Sequence, residues 1–451
     1  MQCHPAGHRS AWTLALALAA ACFPGCATYR PAPLDPTDIL AGLRAVSLDD
    51  LRAPPPDAPV ASTAFDPSDG LTPDEAAAVA LQLNPALRAR RAELGVAGAQ
   101  AIEAGLLPDP TFGWELSEGA FEFLAPLLRP GERAARLDAA DARTREVRWS
   151  ILRDEWTLQR DVQLAFLEVL AARERRQLNE RLSQVADHTQ DFFLKAREAR
   201  AVTALQETTA SIQALEVRLE RQRLVADERR ARQALNALLG LPPDADWVLQ
   251  EPADVFAADA PAGEAAVLAT ASSEVADALV DAAVHRRPDL AELLAAYDRA
   301  EQALRLAVAQ QWPELSLGTT VELTLPLLGP PSRLGNRPAI QTAWEAREVL
   351  RHEVEAAVHG LRAEVHDAAL ALDAAREQLA FSRQQIVPRV DESLALAEAA
   401  FDARAVTAGE ILIAQSQVLA ARVRLLETRI EHARALAALR WVTGADHGAE
   451  P

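Results

Sequence analysis

The sequence predicts a mainly α-helical protein made of two tandem repeats, each holding a long antiparallel coiled-coil hairpin and a short β-hairpin. Three observations carry this. Hydrophobic residues make up 49% of the 451-residue chain but aromatics only 5%. Ala, Leu, Glu and Arg fill long stretches, the composition of helices that meet along seams of small side chains rather than of a large globular core. Short patterns recur at a nearly constant offset, and apolar residues on the long arms follow a heptad spacing.

The recurrence sets the organisation. Asn84-Pro85-Ala86-Leu87 returns as Arg287-Pro288-Asp289-Leu290, and Pro110-Thr111-Phe112 as Pro313-Glu314-Leu315, both 203 residues on. Ala199-Arg200-Ala201-Val202-Thr203-Ala204 returns letter for letter as Ala403-Arg404-Ala405-Val406-Thr407-Ala408, and Gly240 as Gly444, both 204 residues on. Four anchors in one order divide the chain into a signal segment over 1–25, a Pro-rich leader over 26–70 and a first repeat over 71–246. A linker over 247–273, a second repeat over 274–444 and a tail over 445–451 follow.

Each repeat opens with short helices. Thr72-Pro73-Asp74-Glu75 has the spacing of a capping box, with Thr72 as N-cap. A second helix leads to Pro110 or Pro313. The next segments alternate with period two, Phe112, Trp114 and Leu116 in one copy and Leu315, Leu317, Val321, Leu323 and Leu325 in the other, which predicts strands. Turns are expected at Ser117-Glu118-Gly119 and Gly318-Thr319-Thr320.

A long arm follows in each copy. Its seam reads Leu158, Val162, Ala165 and Val169 in the first. In the second it reads Val354, Val358, Leu361, Val365, Ala368, Leu372, Ala375 and Leu379. From about Ala135 to Glu198 the first arm would reach roughly 95 Å. The chain then turns at the duplicated hexapeptide and returns as a helix ending at Gly240 or Gly444.

The N-terminus reads as a processing segment, with Arg9 ahead of an apolar run from Ala11 to Ala21 that is too short to span a bilayer. Gly25-Cys26-Ala27-Thr28-Tyr29-Arg30-Pro31 resembles the start of a mature bacterial lipoprotein, which makes Cys26 the expected lipidation site and Cys22 the second choice. Cleavage before Cys26 leaves no other thiol in the mature chain. Pro31 to Asp69 reads as an extended, irregular leader.

A net charge of −19 speaks against a nucleic-acid partner, since phosphate binding needs a basic surface. No Gly-rich phosphate loop, His-Glu-x-x-His or Ser/His/Asp constellation is present, so no catalytic residue is assigned. His352, His359 and His366 recur every seven residues, about 10.5 Å of rise, too far apart to share one ion, and read as a solvated flank. The only Met is Met1, so soft-metal ligands are absent from the two repeats and no metal site is assigned.

The order of these elements, over about Leu71 to Gly444, resembles the TolC-like outer-membrane efflux proteins. The residues that carry the likeness are Ala76 to Leu87, Ala104-Gly105-Leu106-Leu107-Pro108, Ile386-Val387-Pro388 and the turns around Val202 and Val406. Tyr29-Arg30-Pro31 and Gln311-Trp312-Pro313 look most like the heavy-metal-efflux branch.

The resemblance implies a TolC-like, trimeric α-barrel with a short β-barrel, lipid-anchored in the outer membrane and projecting into the periplasm. It implies a homotrimer that passively passes solutes from an inner-membrane pump through a periplasmic adaptor, with no cofactor beyond the covalent lipid. The alternative is a structural coiled-coil envelope lipoprotein without transport, which would have no use for strands placed identically in both copies.

On this resemblance the turns are candidate adaptor-docking tips. Ala199, Arg200, Val202 and Thr203 belong to the first, and Arg404, Val406 and Thr407 to the second. Small residues allow close helix approach and arginines can meet carboxylates, while Thr203 or Thr407 would in either case cap the return helix. Glu198, Asp402 and Glu410, beside the tips, are the candidates for a charged aperture.

One departure from the family stands out. Only 15 residues separate Pro110 from Pro126 and 12 separate Pro313 from Pro326, whereas a membrane-spanning strand needs about 9–11 residues. The expectation is a stunted barrel or collar, unless the strands continue past the prolines into Leu106-Leu107 and Leu127-Leu128.

Overall fold

The computed structural model describes residues 29–46, 70–115, 120–127, 129–250, 273–312, 314–318, 322–324, 336–403 and 408–444. The chain divides into two units, 1–46 and 47–451. The first contains helix α1, Pro36–Arg44. Asp35 caps it by accepting from the Thr37 backbone N–H at 2.8 Å, and Pro36 presets its first turn. The leader expected to be irregular therefore holds a helix, because Asp-Pro-Thr is itself a start signal.

In the second unit, α2 (Pro73–Leu83) opens with the expected capping box: the Thr72 backbone N–H donates to Glu75 Oε2 at 2.9 Å and the Glu75 N–H to Thr72 Oγ1 at 3.2 Å. Asn84 caps α3 (Pro85–Ala104), accepting from the backbone N–H groups of Ala86 and Leu87. Strands β1 (Thr111–Glu115) and β2 (Ala120–Leu127) lead to α4 (Glu132–Glu198), a single 67-residue helix about 100 Å long. The return helix is α5, Ala204–Leu239.

The second copy repeats the order: α6 (Ser273–Arg286), α7 (Pro288–Ala309), β3 (Glu314–Gly318), β4 (Glu322–Thr324), α8 (Arg337–Phe381), α9 (Val387–Asp402) and α10 (Ala408–Thr443). Between α8 and α9 lies a π-helical segment, Ser382–Ile386, in which the Val387 N–H bonds back to Ser382. Pro388 follows directly. Its ring would clash with the carbonyl four residues back and it has no N–H to donate; the wider π turn accommodates both defects. The first long arm has no such proline and no such interruption.

Ion pairs fix the direction of the helices. Arg218–Asp187 at 2.8 Å and Arg221–Glu180 at 3.4 Å run α5 antiparallel to α4. Arg175–Glu427 and Arg434–Glu168 run α10 antiparallel to α4. Towards the strands, Arg90–Asp154 sets α3 against α4, Arg153–Glu292 sets α7 against α4, and Arg347–Glu301 sets α8 against α7. The helices thus lie in rows: α3, α4, α7, α8 near the sheet, and α5, α4, α10, α9 towards the tips.

Between neighbouring helices sit small apolar clusters, such as Ala97 with Val147 and Ile151, and Ala171 with Leu426 and Ile430. The seam of α8 is buried from Leu361 to Leu379, with Ala369 rather than Ala368 at its centre, while Val354 is half-buried and Val358 exposed. Helix period and heptad period differ, so the buried stripe drifts around a straight helix.

The duplication is physical as well as textual. Gly240 and Gly444 both adopt left-handed φ, +76° and +65°, at the ends of the two return helices. A side chain on Gly240 would stand 2.7 Å from the Leu83 carbonyl oxygen, and one on Gly444 would stand 3.0 Å from Arg286 Cβ. Each glycine therefore abuts the break between the short helices of its own copy. In the first copy Asn84 Nδ2 also donates to the Leu238 carbonyl at 2.9 Å.

Packing of the first copy continues to Gln250, beyond the expected start of the linker. Trp247 Nε1 donates to the buried Asn236 Oδ1 at 2.7 Å, and Leu71 pairs in parallel with Leu249.

Candidate docking tips and strand collar

The first tip is built by a Schellman motif. The Ala201 N–H donates to the Ala196 carbonyl and the Arg200 N–H to that of Arg197, both at 2.8 Å. The motif requires a left-handed residue, and Arg200 takes that role at φ 61°. Glycine is the usual occupant; a side chain there costs of order 1 kcal/mol. Thr203 then caps α5 through a capping box with Gln206, as its residue type predicts.

The side chains of the tip divide. Ala199, Arg200 and Thr203 are exposed, as is Glu198. Val202 turns inward and covers the buried pair Phe193 and Ala210. Its role in the structure is to seal the end of the hairpin, because it is the only branched apolar side chain in the turn. Leu205 and Leu194, which sequence reasoning passed over, are exposed here instead. The signal for Leu205 was available: with Ile212, Leu215 and Leu219 it forms a heptad-spaced stripe opposite the buried Ala210 and Ala214.

Arg404, Val406 and Thr407 of the second tip lie outside the described residues, as does Cys26. Asp402 closes α9 and Glu410 sits exposed in the first turn of α10. Thr189 Oγ1 donates to Gln415 Oε1 at 3.0 Å, about ten residues before the first turn and about eight after the second, so the end of α4 and the start of α10 lie at the same end. Of the histidines, His352 meets Glu355 at 3.1 Å and His366 faces Asp277 at 3.5 Å, with no shared point between them.

At the other end the strands form one antiparallel sheet in the order β1-β2-β3-β4. The two hairpins are joined through β2 and β3, with Leu124 opposite Gly318 and Leu127 opposite Leu315. One expectation is corrected here, and the alternative of strands passing the prolines is met in β2. Gly318 is a strand residue and not part of a turn, because pairing with β2 uses it. β2 passes through Pro126 to Leu127, Pro126 lying opposite Ser316. Even so, among the described residues β2 has 8, β1 and β3 have 5 and β4 has 3. At about 3.3 Å per residue these reach roughly 10–26 Å before tilt, against an apolar band of about 25 Å.

A polar clamp holds the sheet to the helices. Arg129, just after β2, donates through Nε to the Trp312 carbonyl at 2.8 Å, just before β3. Glu132, buried at 2% exposure, meets Arg136 at 2.7 Å and Arg129 at 3.4 Å. Burial would push its carboxyl up; the Arg129 backbone N–H and the guanidiniums of Arg136 and Arg129 outweigh that and hold it below the usual range. Arg133 reaches the Gly105 carbonyl and Asn336 Nδ2 the Ala307 carbonyl, one such tie in each copy.

Residues 331–445 match the family model for outer membrane efflux proteins. Comparison with curated protein sequences gave no match. Among solved structures, a membrane protein from Pseudomonas aeruginosa superposes with a TM-score of 0.69 at 18% identity, covering 87% of this chain and 100% of that one. The outer membrane protein VceC from Vibrio cholerae gives 0.66 at 16% identity, covering 82% and 96%. CusC, described as forming a transmembrane channel, gives 0.66 at 16% identity, covering 82% and 92%. The chain has the fold of these outer-membrane proteins, and the part that matches the outer membrane efflux protein model lies in its second half.

Proposed function

We propose that this protein is the outer-membrane conduit of a tripartite efflux system. Three copies pass solutes passively, and energy comes from an inner-membrane pump reached through a periplasmic adaptor. The observation that carries the reading is the polarity of the two hairpins: a sheet at one end, both tips at the other, and about 100 Å of uninterrupted α4 between them. A chain that only stiffened the envelope would need neither the sheet nor the paired tips. The tips would dock the adaptor through Arg200 and Leu205, with Arg404, Val406 and Thr407 in the equivalent turn. Glu198, Asp402 and Glu410 would line the entrance, and a lipid on Cys26 would anchor the chain.

Negative-stain images of the purified protein should show a hollow trimer roughly 100 Å long. Crosslinking in detergent that stopped at monomers and dimers would exclude it. The short strands support a collar in which lipid carries much of the membrane attachment. Stable, large single-channel conductance from the purified protein in planar bilayers would defeat that part of the proposal and leave the conduit standing.

A further inference from the structure

α8 and α10 meet along a seam in which Ala369 and Leu372 pack on Leu439, with Ala435 and Leu436 beside them. One turn further towards the tips, the apolar side chains give way to Arg376 on α8 and His432 on α10. Both are half-buried, and His432 is the only histidine of α10. We propose that this pair makes the seam a pH-sensitive latch. With a neutral imidazole, α8 and α10 stay closed. Protonation sets a second cation against the Arg376 guanidinium and loosens the hairpin from there towards the π-helical segment. The latch goes beyond the proposed function, since it works in the second hairpin whether or not the protein conducts solutes.

The surroundings of His432 favour the neutral form. Burial first, and the Arg376 charge second, hold its imidazole below the ordinary value of 6.5. Arg429 stands one turn away on the same helix, while Glu431 is exposed. On α8, Asp373 lies 3.8 Å from Arg376, and Glu377 is exposed, as is Arg383 of the π segment. The carboxylates of the other elements around α10 have cations of their own. Glu168 pairs with Arg434 and Glu427 with Arg175 on the α4 side. Glu228 of α5 pairs with Arg176, and Asp277 of α6 with Arg362 and His366. Because the folded value lies below the unfolded one, the closed seam is complete above 6.5 and is lost as the pH falls through the folded value.

The π segment gives the loosening its direction. The buried stripe of α8 ends in Ala375, Leu379 and Ser382. Beyond it the half-buried positions include Val390, Leu394 and Ala397, each one residue later than a strict heptad continued from those three would place it. The wider π turn absorbs the extra residue. At its start Ser382 Oγ is buried without a hydrogen-bond partner, which weakens the seam locally. Towards the sheet the seam is backed instead by Leu279 of α6. The side nearer the tips therefore yields first.

Hydrogen exchange of the full-length protein, read by mass spectrometry at about pH 7.5 and about pH 5.5 and corrected for intrinsic rates, tests the latch. Both conditions lie above the carboxylate range, so Glu427 stays ionised throughout. Protection over 376–397 should fall several-fold in acid, while 361–372 and the first hairpin keep theirs. His432→Gln, neutral in both conditions, should abolish the change, and Arg376→Gln should shrink it. His359→Gln, at an exposed imidazole of α8, should leave it intact. An acid response in His432→Gln equal to that of the wild type, or a loss shared equally by the first hairpin, would overturn the proposal. If His432→Gln does not fold by circular dichroism, an undiminished response in Arg376→Gln overturns it instead.

Discussion

Arg175 and Glu427 form a two-pronged pair, Nε to Oε1 and Nη2 to Oε2 at 2.7 Å each, that bolts the hairpin of the first copy to that of the second. The parallel prongs fix orientation as well as distance. A double-mutant cycle of Arg175→Ala and Glu427→Ala should give a coupling of about 1 kcal/mol, limited by partial exposure. The Glu427 carboxyl is held below its ordinary range, first by the hydrogen bond from Arg175 and then by the charges of Arg175 and Arg434. Its contribution is therefore complete above the unfolded value of 4.5 and is lost as the pH falls through the lower folded value. Thermal melts should show the gap between wild type and Glu427→Gln closing in acid; a gap independent of pH would refute this assignment.

Glu132 should be the most sensitive carboxylate of the clamp. Glu132→Gln leaves Arg129 and Arg136 without their buried partner and should cost about 2 kcal/mol. Hydrogen exchange should rise first at 129–136 and in β2 and β3, because Arg129 also ties the Trp312 carbonyl. Exchange that rose only at the tips would contradict the clamp.

The two equivalent glycines should differ under the same change. Gly240→Ala meets backbone atoms of Leu83 below 3.0 Å, whereas Gly444→Ala meets a side-chain atom of Arg286 at 3.0 Å. Both substitutions strain the left-handed backbone by of order 1 kcal/mol, and only the first must also move the backbone of α2. Gly240→Ala should therefore lower the melting temperature more. Equal losses would show that the glycine contacts do not matter.

Arg200→Gly should relieve the left-handed strain and stabilise the first tip by about 1 kcal/mol. If the guanidinium serves docking, the same variant should bind the adaptor less well while resisting proteolysis at the turn better. A variant improved in both respects would mean that Arg200 has no docking role.

Much of this was legible in advance. The repeat offset located the Pro85 and Pro288 helix starts and the two terminal glycines, since caps and breaks depend on a few adjacent residues. Thr72 and Thr203 acted as the caps their types predicted, and the seam from Leu361 to Leu379 was readable because the buried residues keep one stripe although α6, α7 and α10 cover it in turn. What failed was non-local. Gly318 looks like a turn residue until β2 claims it, and Val202 looks like a contact residue until Phe193 and Ala210 are placed beneath it. The helix at Pro36 was masked by the prolines around it.

By itself, then, the sequence determined the helices, their caps, the duplication and the length of the arms, because each follows from periodicity and from hydrogen bonds spanning three to five residues. Only the tertiary structure decided which helix neighbours which. The bond from Arg175 to Glu427 spans 252 positions, and no local pattern announces a partner so distant. Exposure is decided the same way: among the described residues Leu215 and Leu396 stand exposed only because of which helices the rows bring together.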